Sequence, residues 1–319
     1  MAVPKYLNPA HYARFVGRRL YFTNYNSTRA RVLAQLMSTQ ATNQAMTEFI
    51  RTPGPALIGR MGGTETVVCW HYLQRSAFIL GFKMRYEDHM RMNATLLSGI
   101  TPNDDKSLDL FSSTYLAAIP HADLMAVWDA RGMYEIVDRL GAKGLKYTGL
   151  GALEPWESLA AGQSPWTQAL AGRTVLVVHP FAASIEAQYA RRREIKTISR
   201  VLPEMQLKTL VPPVTFAGSS NGRGWVENFR ELCAKVSGIP FDVAIIGCGA
   251  YGLPLGAFVK QMGRKAVHLG GATQLLFGIR GKRWDDVPTM VDLMDETWVR
   301  PRPTETPQDA KKVEDACYW

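Results

Sequence analysis

The stretch Phe241-Asp242-Val243-Ala244-Ile245-Ile246, then Gly247-Cys248-Gly249-Ala250-Tyr251-Gly252, a helical run to about Met262, and Lys265-Ala266-Val267-His268-Leu269-Gly270-Gly271 decides the fold. An apolar β-branched run, a glycine turn, a helix and a second apolar run make a βαβ unit of about 30 residues. Two more segments repeat the strand-then-turn pattern. Ala56-Leu57-Ile58-Gly59-Arg60 leads into Met61-Gly62-Gly63-Thr64-Glu65 and a helical segment, and Arg173-Thr174-Val175-Leu176-Val177-Val178 stops at His179-Pro180-Phe181 before helical spacing resumes over Ser184 to Ile195. Ala122 to Trp128 is a further strand candidate. Strands alternating with helices predict an α/β fold, a Rossmann-like, mostly parallel sheet with helices on both faces. Its ligand is expected beyond the carboxyl ends of the strands.

Composition agrees with an ordinary folded chain: of 319 residues, 46% are apolar and 20% charged, and no repeat period emerges. The net charge of +9 is unevenly placed, since residues 1–51 hold seven Arg or Lys against the single acid Glu48. Residues 1–55 are read as a basic, aromatic-rich, helical arm ended by Thr52-Pro53-Gly54-Pro55, and residues 56–319 as the domain proper. A basic excess attracts phosphates on nucleotides, lipids or nucleic acids alike, so its sign does not choose among them. The cations Lys5, Arg14, Arg18, Arg19, Arg29 and Arg31 suit an anionic membrane surface; Tyr6, Tyr12, Phe15, Tyr21, Phe22 and Tyr25 suit packing against a second copy. The longest uncharged stretch, Val243 to Val259, carries four glycines and a proline, which predicts no membrane span. Nothing at the N-terminus reads as a secretory signal, so a cytoplasmic location, extending to the membrane surface, is expected. Cys69, Cys233, Cys248 and Cys317 lack zinc-site spacing and read as buried thiols. The Pro-rich end, Arg300 to Trp319, is expected to wrap the surface.

Gly247-x-Gly249-x-x-Gly252 fits a turn in which backbone approaches a pyrophosphate at a helix N-terminus, or glycines that allow close helix-on-strand packing. The next strand ends in Leu269-Gly270-Gly271, with no acid to hold a nicotinamide ribose. Arg60-Met61-Gly62-Gly63-Thr64-Glu65 joins a cation, flexible backbone and a helix start, a combination that suits a diphosphate. There Glu65 serves as a metal ligand or only as a dipole-favoured first-turn acid. His179 at a strand end is a base, a phosphate contact or a structural histidine. Gly270 to Trp284 adds Gly271, Gln274, Arg280 and Arg283 beside an indole.

Ile58 to Glu65, Val178 to Phe181, Asp242 to Gly252 and Gly270 to Gly281 together resemble the GT-D type glycosyltransferase fold family of bacterial polysaccharide and glycoprotein biosynthesis, a resemblance covering most of residues 56–319. The resemblance implies a glycosyltransferase that moves a hexose from a nucleotide-sugar donor, a UDP-sugar by preference, to a hydroxyl of a glycan or lipid-linked acceptor. It also implies an acidic DxE motif that binds a divalent metal, Mn or Mg. Here Gly63 stands at the first acid and only Glu65 remains, so Arg60, His179 or the later cations take more of the diphosphate charge. The expected set is Glu65 and His179 as catalytic groups, Glu65 as metal ligand, and Arg60, Gly62, Gly63, Gly247, Gly249, Tyr251, Gly252, Gly271, Gln274, Arg280 and Arg283 around the nucleotide. Nucleic acid is not an expected partner. The competing functions are a non-catalytic nucleotide- or glycan-binding module of a polysaccharide assembly system and an NAD-dependent oxidoreductase.

Overall fold

The computed structural model describes residues 25–75 and 85–319. Eight strands form one sheet in the order β1-β4-β3-β2-β8-β7-β5-β6. They are β1 (Leu36–Met37), β2 (Ala56–Arg60), β3 (Leu124–Val127), β4 (Lys146–Gly149), β5 (Thr174–Val178), β6 (Gln206–Leu210), β7 (Val243–Ile246) and β8 (Lys265–His268). Every pairing is parallel. The expected α/β architecture is therefore present, and the strands read from sequence at 56–60, 122–128, 173–178, 241–246 and 265–269 all lie in this sheet.

Their apolar runs have no polar alternation because both faces are covered. Leu57, Leu176, Val178, Ala244 and Ile246 point into one layer, packed by α3 (Gly63–Arg75), α4 (Asp88–Ser98), α5 (Asp105–Ala118), α6 (Met133–Leu140), α10 (Trp225–Ser237) and α11 (Gly252–Gln261). Ile58, Val175, Val177, Val243 and Ile245 point into the other. That layer holds α2 (Thr39–Arg51), α7 (Pro155–Ala160), α8 (Ala182–Ala190), α9 (Lys196–Val201) and α12 (Pro288–Val291).

The described half of the basic arm belongs to this body. A helix over residues 25–33, here α1, is followed by β1, which pairs with β4 at the sheet edge. Ser38 caps α2 by accepting the Ala41 N–H, and Met46 and Ile50 enter the core. Arg31 pairs with Asp138 at 2.6 Å and Arg29 with Asp129 at 3.5 Å, so these two cations are spent within the fold. The other arm cations named for a membrane, and five of the six anchoring aromatics, lie outside the described residues; Tyr25 hydrogen-bonds Asp129. Among the described residues no helix is long and apolar enough to cross a membrane. Cys69, Cys248 and Cys317 are buried and unpaired, and Cys233 is half-buried.

The end of the chain runs over the surface as expected, but it is anchored at several points. Glu305 accepts the Ser184 N–H at 3.0 Å at the start of α8, Trp319 Nε1 donates to the Glu305 carbonyl at 3.1 Å, and Val313 and Cys317 are buried. The apolar closing residues go where the sheet offers them a cleft rather than water.

Candidate functional site

The connections leaving β5 and β7 run in opposite directions, β5 outward to β6 and β7 inward to β8. Such a reversal opens a crevice at the carboxyl edge of a parallel sheet. A cleft of roughly 480 Å³ lies there, lined by residues that follow β2, β3, β4, β5, β7 and β8, with the segment 313–319 forming one wall.

Arg60, the last residue of β2, lines this cleft and has no ion pair or hydrogen bond among the described residues. Its charge opposes the burial that raises the Glu65 and Glu154 carboxyls. The first turn of α3 opens beside it. Gly62 N–H donates to Tyr115 Oη at 3.3 Å, and Glu65 curls back so that its carboxylate receives its own N–H and the Ser98 hydroxyl. A Cβ at Gly62 would lie 2.0 Å from the Glu65 carboxylate, so only glycine fits under that curl. The N–H groups of Gly63 and Thr64 have no intrahelical acceptor, and both residues line the cleft.

Gly63 explains itself differently. A Cβ there would meet the Trp128 ring at 3.0 Å, and Trp128 is fixed by donation from Nε1 to the Met61 carbonyl at 3.3 Å. An indole thus occupies the space beside the position of the first acid. Among the described residues no three His, Cys, Asp or Glu side chains come together as a metal site. With Glu65 buried, folded on its own helix turn and its carboxyl pushed up by burial, the donor set does not fit a divalent cation.

The Gly247-x-Gly249-x-x-Gly252 turn packs against two imidazoles. A Cβ at Gly247 would lie 2.6 Å from His179 Cδ2, and one at Gly252 would lie 2.0 Å from His268 Cε1. Only Gly249, in the left-handed region at φ +56°, faces open space. Both rings are kept neutral by burial, which pushes His179 down to about 3 and His268 down to about 4. His179 Nδ1 accepts the Phe181 N–H at 3.0 Å, which leaves its proton on Nε2 and makes it a donor rather than a base.

Of the sequence-derived set, Arg60, Gly62, Gly63, Glu65, His179, Gly247, Gly249, Gly271, Gln274 and Arg283 line the cleft. Three do not. Tyr251 stacks on Trp225 in the core with ring centroids 5.2 Å apart, Gly252 sits behind His268, and Arg280 is bound to Asp285 at 3.1 Å. Arg283 is in place but engaged, paired with Glu314 and lying 4.8 Å from the Tyr318 ring.

Two residues not singled out from sequence join them. His268 closes β8, and Glu154, after β4, has its carboxyl pushed up to about 7, chiefly by burial. The aromatic rings of Trp128, Phe181, Phe216, Tyr318 and Trp319 complete the walls. Compared with known proteins, the chain matches no family model, no curated protein and no solved structure.

Proposed function

We propose that this cleft binds a nucleoside-diphosphate sugar, a UDP-hexose in the first instance, and transfers the hexose to an acceptor hydroxyl of a glycan or lipid-linked glycan. The observation that carries this reading is Arg60, a guanidinium with no partner among the described residues, at a central strand end beside the open first turn of α3. A diphosphate offers the oxygens that such a cation and two free N–H groups satisfy together. The aromatic walls offer faces for a base and a sugar ring.

In the transfer the acceptor oxygen bonds to the anomeric carbon while the bond from that carbon to the diphosphate oxygen breaks. The leaving diphosphate gains charge, which Arg60 and the α3 N–H groups stabilise where it develops. The acceptor's proton goes to Glu154, whose affinity for a proton lies near neutrality, the range that suits a general base. Glu65 holds the Gly62-Gly63 turn in shape.

The test is nucleotide release from UDP, GDP and CMP sugars, with Glu154→Gln as control. One donor class turned over by the wild type and slowed about 100-fold or more in Glu154→Gln supports the transferase. Donor binding without release favours the non-catalytic module, and stabilisation by NADH alone favours the oxidoreductase.

A further inference from the structure

Three deeply buried polar side chains in the cleft each spend one polar atom on the protein and keep another unspent. His179, His268 and Gln274 are 3%, 4% and 0% exposed. His179 uses Nδ1 as an acceptor for Phe181 N–H, which leaves Nε2–H as a donor. His268 is the reverse. Its Nδ1 lies 3.1 Å from the Ile246 carbonyl, which only accepts, so Nδ1 carries the proton and Nε2 keeps a lone pair. Gln274 donates through Nε2 to the carbonyls of Ile279 at 3.3 Å and Tyr318 at 3.2 Å, while its Oε1 is buried with no partner.

All three line the same cleft, and the two imidazoles meet at the end of β7. Thr273 Oγ1, one residue before Gln274, shares the Ile246 carbonyl with His268, and Gly247 brings His179 against Thr273. A buried amide oxygen without a partner costs about 1–3 kcal/mol. A ligand group that donates to it removes that cost. The two acceptors disfavour a phosphate, which only accepts, and the one donor is neutral. Hydroxyl groups both donate and accept, and they match all three.

We propose that His179, His268 and Gln274 determine which sugar the cleft accepts, by hydrogen bonding to the hydroxyls of the donor's hexosyl ring. This rests on the donor reading above. The Nε2–H of His179 donates to one hydroxyl oxygen, and His268 Nε2 and Gln274 Oε1 each accept a hydroxyl proton. A buried site built this way rejects an analogue lacking the hydroxyl more strongly than one that only packs around it.

Calorimetric titration of UDP, UDP-glucose, UDP-galactose and deoxy-hexose UDP donors tests the assignment, on the wild type and on His179→Asn, His268→Asn and Gln274→Met. Asparagine keeps the partner of the backbone group in both histidine variants and removes only the Nε2 contact. The wild type is expected to lose about tenfold or more in affinity for at least one deoxy donor, while the folded variants keep their affinity for UDP and lose a similar factor for the hexose donor. Equal affinity of the wild type for all hexoses and deoxy-hexoses overturns the assignment without any variant. So does a loss that falls equally on UDP alone. A wild type that binds UDP without any gain from the hexose overturns this assignment and leaves the nucleotide cleft standing, whereas one that binds neither overturns both.

Discussion

Glu154 is the residue whose chemistry depends most on where the fold puts it. In sequence it stands in Leu150-Gly151-Ala152-Leu153-Glu154-Pro155, a stretch with no motif; its proton affinity arises only when the chain places it in the cleft. Its carboxyl is raised from the ordinary value of 4.5 to about 7, so the folded protein holds a proton there that the unfolded chain releases between these limits. Stability is therefore lost as pH rises from 4.5 to 7, and Glu154→Gln removes that loss. Melting temperatures of the variant and the wild type are expected to agree near pH 4, with the variant higher at pH 8. Activity runs the other way: donor turnover by the wild type rises through pH 7, and the variant lacks that limb.

Arg60, Glu65 and His179 were legible because each follows an apolar run that reads as a strand, and strand ends gather in a parallel sheet. His268 was not legible, although it ends a strand that was read correctly. Nothing in Lys265-Ala266-Val267-His268 says that a glycine on the neighbouring helix leaves room for its ring.

At the level of elements, the glycine turn before α11 shows why a motif can be present and its role different. Gly252 gives the His268 imidazole its space, whereas Gly249 answers only to backbone conformation. Gly249→Ala is expected to cost about 1–2 kcal/mol from the left-handed backbone. Gly252→Ala adds a methyl into an occupied site and costs about 1–3 kcal/mol, most of it recovered when His268→Ala is added. Urea unfolding of Gly249→Ala, Gly252→Ala, His268→Ala and the Gly252→Ala/His268→Ala double variant measures both; equal costs for Gly252→Ala with and without His268 would refute the packing role.

The strands that sequence did not show are the polar or short ones, β1, β4 and β6. In β4, Lys146-Tyr147-Thr148-Gly149 is polar, and its buried Thr148 is satisfied by a hydroxyl contact to Thr42 of α2 at 2.7 Å. Edge strands have only one strand neighbour, and β6 at Gln206–Leu210 is half-exposed with Lys208 in it, which blurs the apolar pattern that central strands show.

For the whole molecule, the two cleft histidines tie stability to acid. An unfolded chain protonates them below the ordinary 6.5, while the folded protein resists until about 3 for His179 and about 4 for His268. Their contribution is therefore present above pH 6.5 and lost as pH falls toward 4. The melting-temperature advantage of the wild type over the His179→Asn/His268→Asn double variant is expected to shrink between pH 7.5 and pH 4.5, and an advantage that grows toward acid would contradict the neutral, buried rings.

The basic arm was legible as charge and as helix, but not as part of the sheet. Its described part turns out to supply an edge strand and a core helix, because Ala45, Met46 and Ile50 fall on one face of α2 and have a sheet to cover. The closing segment 303–319 was legible as Pro-rich and polar, yet Val313 and its last two aromatic residues line the cleft and Cys317 is buried beside them.

The most direct measurement is calorimetric titration of nucleoside diphosphates into the wild type and Arg60→Ala at the same salt concentration. UDP, or another nucleoside diphosphate, is expected to bind the wild type and to lose about 10- to 100-fold in affinity in the variant, the loss that follows from removing a charged hydrogen-bond donor worth about 1.5–3 kcal/mol. No binding by any nucleoside diphosphate, or equal binding by wild type and variant, would contradict the diphosphate cleft.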